Sequence, residues 1–217
     1  MINFDEGKDL AMARLGGANV LKTLVNALST ERGVHADSLL CILGCLAGYA
    51  CQTSVRYEFV EVMGTPEMAV FTQVKGTNGD EMLCGDILNK PLAEDRICVC
   101  SIVGGAAARL NLGNIWQKID VNEIFKYNAS VMFSDKYGIP RLPEGRGTSD
   151  SEISYLTHLW PEFSKLARGF ISEDKLYLVF AFAAQEAIIY TKDAIDPVDG
   201  IRLVIESAVA MSKVKLS

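Results

Sequence analysis

The sequence predicts an α+β fold that is predominantly helical, with a small antiparallel three-stranded meander packed on a buried central helix. Three observations lead there. From Ser38 to Cys51 no residue carries a charge and apolar or small side chains point in every helical direction, so a helix over this stretch is buried on all sides. Between Val55 and Cys84 the pattern turns to alternation, and Asn78-Gly79 supplies a hairpin turn whose residues tolerate positive φ. From Asp95 onward, helix-start residues recur ahead of apolar runs.

The first helix is expected from Lys8 to Leu28, where Leu21, Leu24, Val25 and Leu28 recur at three and four. Gly16 and Gly17 interrupt it, either as a kink or as the joint of a short arm. Arg32 and Gly33 end the segment, and the central helix starts near Ala36 or Asp37. Val55, Tyr57 and Phe59 then share one face of a first strand, Met68 to Lys75 reads as the second and Glu81 to Cys84 as the third, with Gly64, Thr65 and Pro66 turning the chain.

Asp86 is placed to cap a short helix from Ile87 to about Leu92, and Asp95 a longer one from Arg96 to Leu110. Gly44 and Gly48 on the central helix and Ser101 and Gly105 on this one are each four apart, which predicts a close crossing of the two helices at those positions. Asp120 with Glu123 opens a helix running toward Gly138. Gly138 to Ser149, with two prolines and three glycines, is the longest loop and a candidate hinge. Ser149 with Glu152 reads as a capping box, and Pro161 as a kink or break in the helix that follows. Ser172 to Asp174 open the next helix, from Lys175 to about Lys192, and Asp196-Pro197 with Asp199 the last. In that last helix Ile201, Val204, Ile205 and Ala208 form the buried stripe, with Lys213 and Lys215 suiting its negative end.

Composition narrows the function classes. The chain of 217 residues is 49% hydrophobic, enough for one sizeable core. One domain over 1–217 is expected, with N-terminal helices and meander to about residue 95 and a helical layer from about residue 96. Lys and Arg number 21 against 27 acids, a net charge of -6 without a basic cluster, which disfavours nucleic acid and anionic membranes as partners. The N-terminus lacks the basic-then-apolar pattern of a secretory signal. The most apolar runs are shorter than the roughly 18 to 20 residues of a bilayer crossing. The six cysteines lie in apolar surroundings, and all are expected to be reduced in a cytoplasmic protein.

Few residues invite chemistry. Cys41 and Cys45, with Cys98 and Cys100, suggest a four-thiolate site, but neither pair has the Cys-x-x-Cys spacing that zinc prefers; small core residues are the simpler reading, and neither a metal nor a cofactor is expected. His35 stands just before the central helix. His158 lies one turn from Ser154 and Glu162, without a Gly-x-Ser-x-Gly elbow anywhere. Glu186 interrupts an apolar run beside Phe182 and Tyr190, where a pocket wall would raise its pKa. Arg141 and Arg146 in the long loop are placed to capture a carboxylate or phosphate. Phosphate loops, dinucleotide fingerprints, zinc-protease and calcium-loop motifs are absent.

These features point to a soluble, cytoplasmic, non-enzymatic protein that acts through contacts with a protein partner or itself, as a homo-oligomer. Apolar surface near Leu176 to Tyr190 and Ile201 to Met211, and the edge of the meander, are the expected contact regions. The alternative is an enzyme or small-ligand binder whose pocket lies between the meander and the C-terminal helices, using Glu186, Arg141 and Arg146.

Overall fold

The computed structural model describes residues 6–31, 33–76 and 81–216. Helix α1 (Glu6–Leu28) runs unbroken through Gly16 and Gly17. A Cβ on Gly16 would stand 3.0 Å from the Phe170 side chain, and one on Gly17 2.8 Å from the backbone nitrogen of Ala183. The pair lets α1 lie close to its neighbours instead of bending it.

Helix α2 (Ala36–Arg56) begins where expected, capped by His35, whose Nδ1 accepts the Ser38 N–H at 3.3 Å. Every residue from Asp37 to Gly48 is buried. Helices α6 (Glu152–Arg168), α7 (Leu176–Tyr190) and α8 (Pro197–Met211) pack on α2. Outside them, α1 and α4 (Val99–Arg109) lie against α7, and α5 (Val121–Val131) against α8. The buried apolar side chains form a connected cluster from Ala13 to Val214.

The three-stranded meander is corrected to two strands. Val55 to Phe59 do not form a strand; they continue α2 and enter a π-helical turn, Tyr57–Val62. Cys51, Val55 and Phe59 are spaced by four, so the stretch fits a helical stripe as well as an alternating one. Tertiary bonds decide between them: Gln52 Nε2 donates to the Ser212 and Val214 carbonyls at 2.8 and 3.0 Å, and Ser54 Oγ to the Glu173 carbonyl at 2.9 Å. Met68 falls in a short helix, α3 (Glu67–Val70), which leaves only β1 (Thr72–Lys75) to pair antiparallel with β2 (Glu81–Cys84). On the other side of β2 the C-terminal tail takes the third position. Met82 bridges Val214, and the Leu83 N–H donates to the Lys213 carbonyl at 2.8 Å. Among the described residues β1 is thus the open edge. Arg32 and the Asn78-Gly79 turn lie outside them.

With its π-helical extension, α2 is longer than its uncharged run implies. Residues Ala36–Val62 are long and apolar enough by composition to span a bilayer, and 89% of the most apolar 18-residue window within them is buried inside the fold.

Two acidic caps form as expected, Asp120 accepting the Glu123 N–H at 3.2 Å and Asp196 the Val198 N–H at 2.8 Å. Three others shift. Asp86 lies inside a 3-10 turn, Asp86–Leu88, without capping it. Helix α4 starts at Val99, later than Asp95 predicts, because Cys98 and Ser101 make a capping box: Sγ accepts the Ser101 N–H at 3.3 Å and Oγ the Cys98 N–H at 3.0 Å. Helix α6 is capped by Ser151 rather than Ser149 and continues through Pro161. Ser149 is engaged elsewhere, its N–H donating to Ser38 Oγ at 2.9 Å.

The close helix crossing exists, with a different partner. A Cβ on Gly44 would stand 2.5 Å from the Val204 carbonyl and one on Gly48 2.7 Å from Ala208 Cα, so both glycines meet α8. The small residues of α4 serve other neighbours: Gly104 receives the Trp116 ring and Gly105 the Gln185 amide of α7. Small-residue spacing specifies a close approach but carries no information about which helix approaches.

Candidate functional site

The polar groups singled out in the sequence are dispersed. Arg141 is held by carboxylates of this chain, its Nε bonding Glu206 Oε1 at 2.6 Å and its terminal nitrogens Glu123 at 2.5 and 2.9 Å, above the Tyr127 ring at 3.8 Å. Arg146 bonds Asp37 at 2.5 Å and Asp199 at 2.8 Å. The two guanidiniums therefore tie the 139–151 segment to α2, α5 and α8, and their forks are filled without an external anion. Glu186 pairs with Arg109 at the surface and lines a shallow groove with Arg14, Leu21 and Tyr190. Glu186, Arg141 and Arg146 do not converge on one cavity.

The histidines also have local partners. His158 Nδ1 lies 2.8 Å from the Ser154 carbonyl, an arrangement that requires a proton on Nδ1. It then cannot accept from the Ser154 hydroxyl, which instead donates to Asp150 at 2.5 Å. A Ser-His-acid relay through Glu162 is not assembled. His35 belongs to a tight cluster on Ser38 Oγ, which lies 2.9 Å from His35 Nδ1 and accepts from Tyr155 Oη at 3.0 Å and the Ser149 N–H at 2.9 Å. A cavity of about 370 Å³ opens beside it, lined by Leu28, Val34 and Tyr155. Both lone pairs of that hydroxyl are taken, so Ser38 fastens the loop to the helix start and has no lone pair free for attack.

The interior holds a cluster that the sequence does not announce. Cys41 and Cys45, four apart on α2, face the carboxylate of Glu152 at the start of α6, and the three ligand atoms lie within 4.8 Å of one another. Ser207 of α8 completes the group, its Oγ 3.6 Å from Cys41 Sγ. Both thiols and Ser207 are wholly buried, and Glu152 is 2% exposed. Burial pushes the Glu152 carboxyl up to about 7; the Ser207 hydroxyl bonded to it opposes the rise and the Glu206 charge adds to it. Burial likewise drives the Cys45 thiol well up, with Cys41 adding to the effect. Burial also lifts Cys100 to about 12, so Cys45 and Cys100 are protonated and poor nucleophiles.

With no cation among the described groups that shift it, Glu152 makes stability depend on pH. Its folded-state pKa lies above the ordinary glutamate value of 4.5, so its contribution is fully present below that value and is lost as pH rises through about 7, by about 3 kcal/mol. Urea unfolding of chelator-treated protein between pH 5 and 8 is expected to show this fall. Glu152→Gln should flatten it and be the more stable variant at pH 8; parallel profiles for the two proteins would contradict the assignment.

A cleft of about 490 Å³ lies between the segment following β2, the start of α4 and α5. Asn89, Asp95, Ser101, Trp116, Asn122 and Phe125 are among its lining residues. Of the residues singled out in the sequence, Cys98 and Cys100 line it, whereas Arg141, Arg146, Glu186 and the two histidines are not among its lining residues. Sequence reasoning missed Glu152, Ser207, Asp37, Glu123 and Glu206 as functional or tethering groups. The Cys41/Cys45 spacing marks one face of a helix, but their partners are more than a hundred residues away. Comparison with known proteins gives no match among family models, curated proteins or solved structures.

Proposed function

We propose that this is a non-enzymatic cytoplasmic protein that acts through protein contacts, beginning with a second copy of itself. The observation that carries the reading is one face built from residues 57–75. There α3 touches both the π-helical turn and β1, and Val62, Met63 and Met68 are 54, 60 and 83% exposed. Grouped apolar exposure of this kind favours a covered surface. β1 lies in the same stretch with its outer edge open among the described residues, ready to extend the sheet. Pairing β1 with its own copy sets Thr72 opposite Lys75 and Gln73 opposite Val74, so like charges are not opposed. The apolar helix surface of α7 and α8 does not contribute, because Leu178 to Gln185 and Gly200, Ile201 and Leu203 to Met211 are buried within the fold.

Substituting lysine at Met63 and Met68 tests the reading by sedimentation equilibrium. Loss of about 2 kcal/mol from the contact raises the dissociation constant about 30-fold, while thermal melting at concentrations where both proteins are monomeric stays unchanged because both side chains are exposed. An unaltered association constant would contradict it. A second reading, a small-ligand binder, is favoured by the cleft at Trp116 and Phe125, whose size and mixed lining suit a small organic molecule.

A further inference from the structure

We propose that Cys41, Cys45 and Glu152, with Ser207 as the fourth donor, form a buried structural site for one zinc ion. Two thiols and a carboxylate approach from α2 and α6 to within 4.8 Å of one another, and the Ser207 hydroxyl reaches Cys41 Sγ from α8 at 3.6 Å. Around zinc, with Zn–S of about 2.3 Å and Zn–O of about 2.1 Å, tetrahedral donors stand about 3.5 to 3.8 Å apart. The cluster reaches that size by contracting about 1 Å, within the reach of side-chain rotation.

The surroundings favour an ion over a plain core. Buried carboxylates are normally paired with a cation or bound to a metal. Arg141, in the adjoining loop, is committed to Glu206 and Glu123, and the partners shown for the Glu152 side chain are the Ser207 hydroxyl and the Cys41 thiol at 4.0 Å. Two sulfurs and two oxygens in a closed set suit a borderline-soft, tetrahedral ion, which is zinc rather than magnesium or calcium. Binding displaces the protons of both thiols and of the carboxyl to solvent, while Ser207 coordinates as a neutral hydroxyl. No open position remains for substrate, so the ion acts as a clamp joining α2, α6 and α8. Gly138, Pro140, Glu152 and Glu206 are among the residues that line a narrow pit. The ion therefore enters during folding or when the adjoining loop lifts.

The full-length protein is unfolded in urea with chelator, then refolded with excess zinc, desalted and measured by elemental mass spectrometry. About one zinc per chain is expected, as is a stability increase over chelated protein. Refolding with cobalt should give thiolate-to-cobalt charge-transfer absorption in the near ultraviolet and tetrahedral bands in the visible. Glu152→Gln, which keeps shape and volume, should weaken zinc binding about tenfold or more with an unchanged circular-dichroism spectrum. Cys45→Ser should reduce the cobalt charge-transfer absorption to about half or less of that of the intact pair, since one thiolate is lost. Refolded native protein that holds less than about a tenth of an equivalent and shows no cobalt charge transfer overturns the proposal. Zinc retained undiminished in both variants overturns it as well, because the ion would then sit elsewhere.

Discussion

Replacing Gly48 with alanine lowers stability by about 3 kcal/mol or more, near the upper end for overpacking. The added methyl would stand 2.7 Å from Ala208 Cα, and the obstacle is backbone, which has no rotamer to give. Relief requires α2 and α8 to part, which disturbs the tight packing of Val204, Ser207 and Ala208 against α2. Thermal unfolding should fall by on the order of 10 °C. Gly147→Ala is the control: nothing lies within 4 Å of its added carbon, and its melting should match the parent. Equal melting of all three proteins would mean that α2 and α8 do not cross at Gly48.

Arg141→Met is expected to cost about 2 kcal/mol, chiefly because it leaves the buried Glu206 with the backbone N–H of residue 141 at 3.2 Å and the half-exposed Arg202 guanidinium at 3.6 Å in place of a direct ion pair. The Glu206 side chain is 5% exposed against 26% for Arg141, so the carboxylate bears most of the desolvation. Loss of the Tyr127 stacking adds to the effect. Glu206→Gln in the Arg141→Met background should recover part of the loss, giving a coupling that a double-mutant cycle reads directly. Acid acts in the same direction. The Arg141 guanidinium holds the Glu123 carboxyl below its ordinary range, so its stabilisation is present above that range and is lost as pH falls through the lowered value. Simple additivity of the two substitutions in urea melts would contradict the buried clamp.

Local chemistry was legible in the sequence where it decides alone. The uncharged run from Ser38 to Cys51 announced a helix buried on every side, and Asp120 and Asp196 announced their caps, because a capping bond spans only two or three residues. Where tertiary contacts decide, the sequence misled. Val55, Tyr57 and Phe59 alternate as a strand does, yet Gln52 and Ser54 lock the stretch into helix through bonds to residues more than a hundred positions away. Gly44 and Gly48 signalled a close crossing but not that α8 supplies it. Arg141 and Arg146 looked free to bind an anion because their carboxylate partners are scattered over α2, α5 and α8. Glu152 fits a capping box by spacing, and only the fold turns it inward to Cys41 and Cys45.

The most direct measurement is native mass spectrometry of the purified protein beside its denatured spectrum. Association through the 57–75 face predicts a dimer at twice the chain mass of 23.7 kDa, dissociating to monomer in the Met63/Met68 lysine variant. A monomer at all concentrations contradicts self-association as the basis of function. A monomer carrying a small organic molecule lost on denaturation would move the cleft at Trp116 and Phe125 to the centre.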